Sequence, residues 1–139
     1  VLSLTDDEMK AAYFSRQKTS YARSLAEAVL NKDLDLNSLE NLPDEKVKNE
    51  LKKIKGVGDW TADIYLLMAM LRADVMPKGD LALHIAWQKL KNLEYKPNAE
   101  EFLQIAEKWQ PFRAVAARLL WTFYLSEKTS AAERKDISV

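Results

Sequence analysis

The sequence predicts an all-α protein, and three observations carry that prediction. Apolar residues recur at helical spacing in almost every segment. Helix start signals recur along the chain, at Thr5, Pro43-Asp44-Glu45, Asp80, Pro97-Asn98 and Pro111. No run alternates with period two, and none carries a hairpin turn.

Thr5 caps a first helix from Asp6, whose acidic opening turn suits the positive end of the helix dipole. From Lys18 to Leu30, Tyr21, Leu25, Ala28 and Val29 make one apolar face, and Asn31-Lys32-Asp33 ends the run. A short turn covers Leu36 to Leu39. A helix from Pro43 to Lys53 points Val47, Leu51 and Ile54 inward. The stretch Asp59 to Leu71 is apolar nearly all round, which predicts a buried central helix. Pro77-Lys78-Gly79 breaks the chain, and Asp80 opens a helix to Leu90 that offers Leu83, Ile85, Ala86, Trp87 and Leu90 for packing. Pro97-Asn98 begins a helix reaching Trp109. Pro111, at a first helical position, starts the last long one, which carries Phe112, Val115, Ala116, Leu119, Leu120 and Phe123. The tail, residues 127–139, is polar and expected to fray.

At 139 residues the chain is long enough to bury a core, and 47% hydrophobic with 30% charged residues is a globular composition. The absence of cysteine excludes disulfides, thiolate zinc sites and iron–sulfur clusters. No apolar run reaches membrane-spanning length and no signal peptide is evident, so no membrane partner and an intracellular setting are expected. The chain opens at Val1 without a methionine, which suggests a C-terminal piece of a longer chain. A formal net charge of zero argues against a broad basic surface but leaves room for a local basic patch.

Two of the three glycines, Gly56 and Gly58, flank Val57 behind Lys52, Lys53 and Lys55. Two helices joined there would form a tight hairpin (51–64) whose second helix directs its first N–H groups outward. Those donors and the dipole suit a phosphate oxygen, and the lysines add positive charge, so the corner would position a strand without reading bases. The plainer reading is a helix stop with solvated lysines, and a carboxylate at Asp59 competes with an incoming phosphate.

The block Leu51-Lys-Lys-Ile-Lys-Gly-Val-Gly-Asp-Trp-Thr-Ala-Asp63, followed by Pro77-Lys-Gly-Asp-Leu-Ala-Leu83, resembles the helix-hairpin-helix and loop-plus-aspartate of the helix-hairpin-helix (HhH-GPD) DNA glycosylase superfamily. Among its branches the sequence is most similar to 3-methyladenine DNA glycosylase II. Ser15-Arg-Gln-Lys18 and the run from Trp109-Gln-Pro-Phe-Arg113 to Trp121 fit the same register, so the resemblance spans Thr5 to Tyr124.

The resemblance implies base-excision DNA repair: hydrolysis of the N-glycosidic bond of an alkylated purine after base flipping, with damaged double-stranded DNA as partner. Asp80 takes the catalytic role, stabilising oxocarbenium-like charge and activating water. Alone, Asp80 reads as an ordinary helix cap. Where strand-cutting relatives carry a Schiff-base lysine this chain has Trp60, which implies a monofunctional enzyme. Trp60 and Trp121 fall at base-pocket positions, the alternative being core packing. Ile64 and Leu81 are aliphatic where some relatives have tyrosines. DNA contacts fall on Lys52, Lys53, Lys55, Gly56, Val57, Gly58 and Thr61. Backbone carbonyls of Lys52, Ile54 and Val57 would hold a structural sodium or potassium ion, and no cofactor is required.

His84 reads as a helix-surface or groove-lining histidine ahead of a proton-transfer group, Arg113 as an internal ion-pair partner ahead of a groove contact, and Asp63, Asp74 and Glu94 as surface or turn charges. The resemblance also implies upstream residues of an N-terminal lobe, or a partner chain, so this piece alone is expected to hold only part of the groove. The setting would be cytoplasm or nucleoid in a bacterium and the nucleus in a eukaryote. Two other readings stand beside the glycosylase: a non-catalytic helix-hairpin-helix DNA-binding module and a helical interaction domain.

Overall fold

Thr5 and Glu8 close a reciprocal capping box, Thr5 N–H donating to Glu8 Oε2 at 2.7 Å and Glu8 N–H to Thr5 Oγ1 at 3.3 Å, which starts α1 (Asp6–Ala11). The computed structural model describes residues 1–136 and divides into two compact units, Val1–Ala62 and the remainder from Asp63. The described residues form helices and no strand.

In the first unit, α2 (Arg16–Leu30) is capped by Ser15. Arg23 ties it back to the start of the chain, donating to the Leu4 carbonyl at 2.8 Å and pairing with Asp6 at 2.7 Å. A 3₁₀ turn (Ser38–Asn41) leads to α3 (Asp44–Leu51). Met9, Ala28, Leu34, Leu39, Val47, Leu51 and Ile54 form this unit's core, so the inward face expected of α3 is buried. The expected stripe on α2 is not. Only Ala28 of that set is buried, Thr19 takes a core position instead, and Leu25 and Val29 stay exposed. Tyr21 is half-buried, so the face toward the core is set by Thr19, Ala28 and one aromatic ring rather than by the aliphatic residues.

The helix starting at Asp59 departs from expectation as well. α4 (Asp59–Ile64) widens into a π-helical stretch (Tyr65–Ala69), and Leu71 has φ 54. The widened turn interrupts the regular spacing. Leu66 and Leu67 are buried, whereas Trp60, Met68 and Leu71 are exposed, so this is not a helix buried all round.

In the second unit, α5 (Leu81–Leu90) packs chiefly against α7 (Arg113–Asp136). Between them in sequence lie α6 (Ala99–Ala106), started by an Asn98/Glu101 capping box, and a 3₁₀ turn (Glu107–Trp109). Leu83, Ala86, Phe102, Ala106, Ala114, Ala117 and Leu120 fill the core, and Trp109 sets its ring edge against Trp87 at 5.1 Å. α7 begins at Arg113, because Pro111 belongs to the turn in which Phe112 N–H bonds the Trp109 carbonyl at 2.7 Å. Its inward face is Ala114, Ala117 and Leu120, leaving Phe112, Val115 and Leu119 exposed, a rotation from the expected face that lets the helices approach over alanine. α7 runs on to Asp136 where a frayed tail was expected; residues 137–139 of that tail lie outside the described residues. No helix among the described residues is long and apolar enough to cross a membrane.

Arg113 straps the chain after the π-helical stretch to α7, its Nε and terminal NH₂ donating to the two Asp74 carboxylate oxygens at 2.6 and 2.9 Å. Ala114 N–H adds a bond to the Ala73 carbonyl at 2.9 Å and Arg118 one to the Leu67 carbonyl at 3.1 Å. Asp74 is therefore an ion-pair partner and not a free surface charge, and Arg113 is structural. The Arg113 guanidinium holds the Asp74 carboxyl below the usual carboxylate range. A lowered folded-state pKa contributes stability that is complete above the unfolded value and is lost as pH falls through the folded one. The Asp74 side chain is 34% exposed, so screening limits the pair to about 1 kcal/mol. Urea unfolding followed from about pH 6 to about pH 2 should show this loss in the native protein, and Arg113→Met should remove that part of the pH slope.

Candidate nucleic-acid interface and carboxylate site

α3 ends at Leu51, and the chain turns through Lys52–Gly58 before Ala62 N–H bonds the Gly58 carbonyl at 3.0 Å to open α4. Gly56 sits at φ 93, a left-handed torsion that side chains resist. A Cβ there would lie 2.3 Å from Cγ of the Tyr21 ring, so the α2 aromatic rests directly on the hairpin backbone. Gly58 differs. Its torsion is ordinary, and nothing lies within 4 Å of a Cβ built on it. The folded chain does not require glycine at 58, and the space above that backbone is open.

The three lysines of the hairpin are not equivalent. Lys52 bonds Asp59 at 2.5 Å across the turn, and Lys53 bonds Glu50 at 2.6 Å. Lys55 is exposed and has no carboxylate partner among the described residues. Local positive charge is thus partly balanced by acids of the same hairpin, and Asp59 holds Lys52 at the helix start. Trp60 is 48% exposed, Thr61 is exposed and Val57 half-buried. The Ile54 carbonyl accepts the Val57 N–H at 3.0 Å. No cluster of three or more His, Asp or Glu side chains among the described residues is arranged for a metal.

In the second unit, Pro77-Lys78-Gly79-Asp80 is a tight turn. Asp80 N–H reaches the Pro77 carbonyl at 3.4 Å, and Gly79 at φ 75 occupies the third position, where a type II turn needs positive φ. Pro77 is fully buried. Asp80 caps α5: its Oδ1 accepts Leu83 N–H at 3.0 Å and Trp121 Nε1–H at 3.3 Å. Asp80 is 7% exposed, and its Oδ1 takes a donor from its own helix and another from α7. Trp121 is half-buried, so its indole both packs and positions this oxygen. Leu81 is exposed and Ile64 half-buried.

Sequence reasoning misplaced two neighbours of this turn. Asp63 is no surface charge: it is 3% exposed, and its Oδ2 accepts Lys78 N–H at 2.9 Å. The available signal was a carboxylate set inside the most apolar run of the chain. His84 is a core residue, 5% exposed, its ring 4.8 Å from that of Phe102. Burial first, and Lys96 second, push its pKa below the ordinary histidine value, so the imidazole is neutral at pH 7. Its Nε2 meets no hydrogen-bond partner among the described residues. Glu94 is exposed, as expected.

No family model matches the chain. It is 35% identical over 109 residues to the alkylbase DNA glycosidase-like protein mag2 of Schizosaccharomyces pombe, covering 78% of this chain and 51% of that one. To DNA-3-methyladenine glycosylase 1 of the same yeast it is 33% identical over 129 residues, covering 91% of this chain and 57% of the relative. The solved structure of the Schizosaccharomyces pombe 3-methyladenine DNA glycosylase in complex with abasic DNA superposes with a TM-score of 0.81 at 33% identity, over 85% of this chain and 58% of that one. The chain spans about half the length of the curated relatives it matches.

Proposed function

Because this chain belongs to the helix-hairpin-helix DNA glycosylase superfamily, we propose that the whole protein is a monofunctional DNA glycosylase that removes alkylated purines of the 3-methyladenine type. The observation that carries this reading is Asp80: a buried carboxylate fixed by Leu83 N–H and Trp121 Nε1–H at the end of a tight turn. Its partner is damaged duplex DNA. The names of the relatives, one of them solved on abasic DNA, support the same chemistry.

Breaking the N-glycosidic bond leaves positive charge on the sugar. A fixed carboxylate stabilises that charge without reorganising, and it orients or deprotonates the attacking water. The flipped base needs new stacking, for which Trp60 and Trp121 are the candidate surfaces, and a cationic alkylated purine favours an electron-rich ring. Position 60 holds tryptophan, which forms no Schiff base, so the product is an uncut abasic strand. The open backbone at Gly58, the first N–H groups of α4, Thr61 and Lys55, with Lys52 and Lys53 nearby, suit a phosphate contact on one strand. Neutral carbonyl oxygens of Lys52, Ile54 and Val57 are a donor set suited to sodium or potassium, and such an ion would brace the hairpin. The reaction needs no other cofactor. The protein would work where chromosomal DNA lies.

Incubating the full-length protein with methylated or hypoxanthine-containing duplex, then heating in alkali, should break the strand at the lesion. Duplex binding without breaks would identify a non-catalytic hairpin module instead. Trp121→Phe separates the two uses of that side chain, since it keeps a ring and deletes the donor to Asp80. The single-turnover excision rate is expected to fall about tenfold, the weight of one hydrogen bond to a charged group. Trp121→Ala, which also loses the stacking surface, should cost about tenfold more.

A further inference from the structure

Asp63 is a carboxylate in the chain's most apolar helical run, 3% exposed, and none of the roles above uses it. Its Oδ2 accepts the Lys78 N–H at 2.9 Å. In a type II turn the donor at the second position has no partner inside the turn, because the one internal bond runs from the fourth residue to the first. Here that internal bond is Asp80 N–H to the Pro77 carbonyl, a long 3.4 Å. The turn that sets the Asp80 backbone is therefore closed weakly by itself, and Asp63 supplies the shorter bond that hooks it to the helix before it.

We propose that Asp63 is a positioning residue for Asp80: its buried carboxylate latches the Pro77–Gly79 turn and so fixes where the Asp80 carboxylate stands. Each part of the turn fits that role. Pro77 is fully buried and anchors the near end, and Gly79 at φ 75 allows the chain to swing into the cap. Leu83 and Trp121 donate to the Asp80 carboxylate, and Asp63 restrains the backbone that carries it. A displacement of about 1 Å at a reacting group can cost about a hundredfold in rate.

This inference rests on the glycosylase reading. Its test uses single-turnover base release by the full-length protein, affinity for abasic duplex, melting temperature and amide exchange at Lys78. Asp63→Ala is expected to slow release about 10- to 100-fold while duplex affinity changes less than about threefold. Asp63→Asn keeps an acceptor oxygen for Lys78 N–H and should restore the rate to within about threefold of wild type. Val47→Ala, a core truncation in the other unit, should lower the melting temperature and leave the rate per folded molecule unchanged. In the wild-type protein the Lys78 amide should be protected from exchange, a readout that needs no variant to fold. Wild-type rates in Asp63→Ala, an Asp63→Asn as slow as Asp63→Ala, or a rapidly exchanging Lys78 amide would each overturn the latch. Absence of base release by the wild-type protein would instead overturn the glycosylase reading.

Discussion

Gly56→Ala is expected to destabilise the protein by about 2–6 kcal/mol, enough to unfold a large fraction of a marginally stable chain. Two independent costs add. The backbone at 56 has φ 93, which strains any residue with a side chain, and the new methyl would sit 2.3–2.6 Å from three atoms of the Tyr21 ring. A double-mutant cycle separates them: Tyr21→Ala in the Gly56→Ala background should recover the steric part and leave the torsional part. Gly58→Ala is the contrast. With an ordinary torsion and nothing within 4 Å, it should change stability by less than about 0.5 kcal/mol. If a phosphate approaches that backbone, however, the added methyl should weaken duplex binding about tenfold. Thermal melting and fluorescence anisotropy with a labelled duplex read the two effects separately.

Asp80→Asn should lower the rate of base release by at least about a hundredfold, the scale at which a fixed electrostatic contact to a transition state is lost. Asparagine is nearly isosteric with aspartate. Its amide oxygen can still accept Leu83 N–H and Trp121 Nε1–H, so the helix cap survives and the melting temperature should move little. On the glycosylase reading, what disappears is the negative charge that would face the sugar and the ability to take a proton from water. Asp80→Ala would confuse these effects, because it removes the cap as well, at about 1 kcal/mol.

The parts of the fold that were legible in the sequence are those fixed by neighbours in the chain. The Thr5 cap and its acidic turn, the Asp80 and Asn98 starts, and the Val47, Leu51 and Ile54 face all follow from local spacing and capping chemistry. Faces decided by distant partners were not. α2 buries Thr19 and Ala28 and α7 buries Ala114, Ala117 and Leu120, a choice set by what packs against them, and the π-helical widening after Ile64 has no periodic signature. The hydrogen bonds of the carboxylate site join residues far apart in sequence: Asp63 to Lys78 across 15 positions, Arg113 to Asp74 across 39 and Trp121 to Asp80 across 41. The resemblance brought the hairpin, Asp80 and Trp121 into one register, but no residue spacing disclosed that Trp121 donates to Asp80. The helix through Asp136 reflects the Glu, Lys and Ala content of that segment, where polarity alone suggested a frayed end.

The most direct measurement is free-base release from a duplex carrying one 3-methyladenine-type lesion, at saturating full-length enzyme, in wild type and Asp80→Asn together. The wild type is expected to liberate the base and leave an uncut abasic strand, and the variant to bind the duplex but liberate almost none. Equal release by both proteins would contradict a catalytic Asp80.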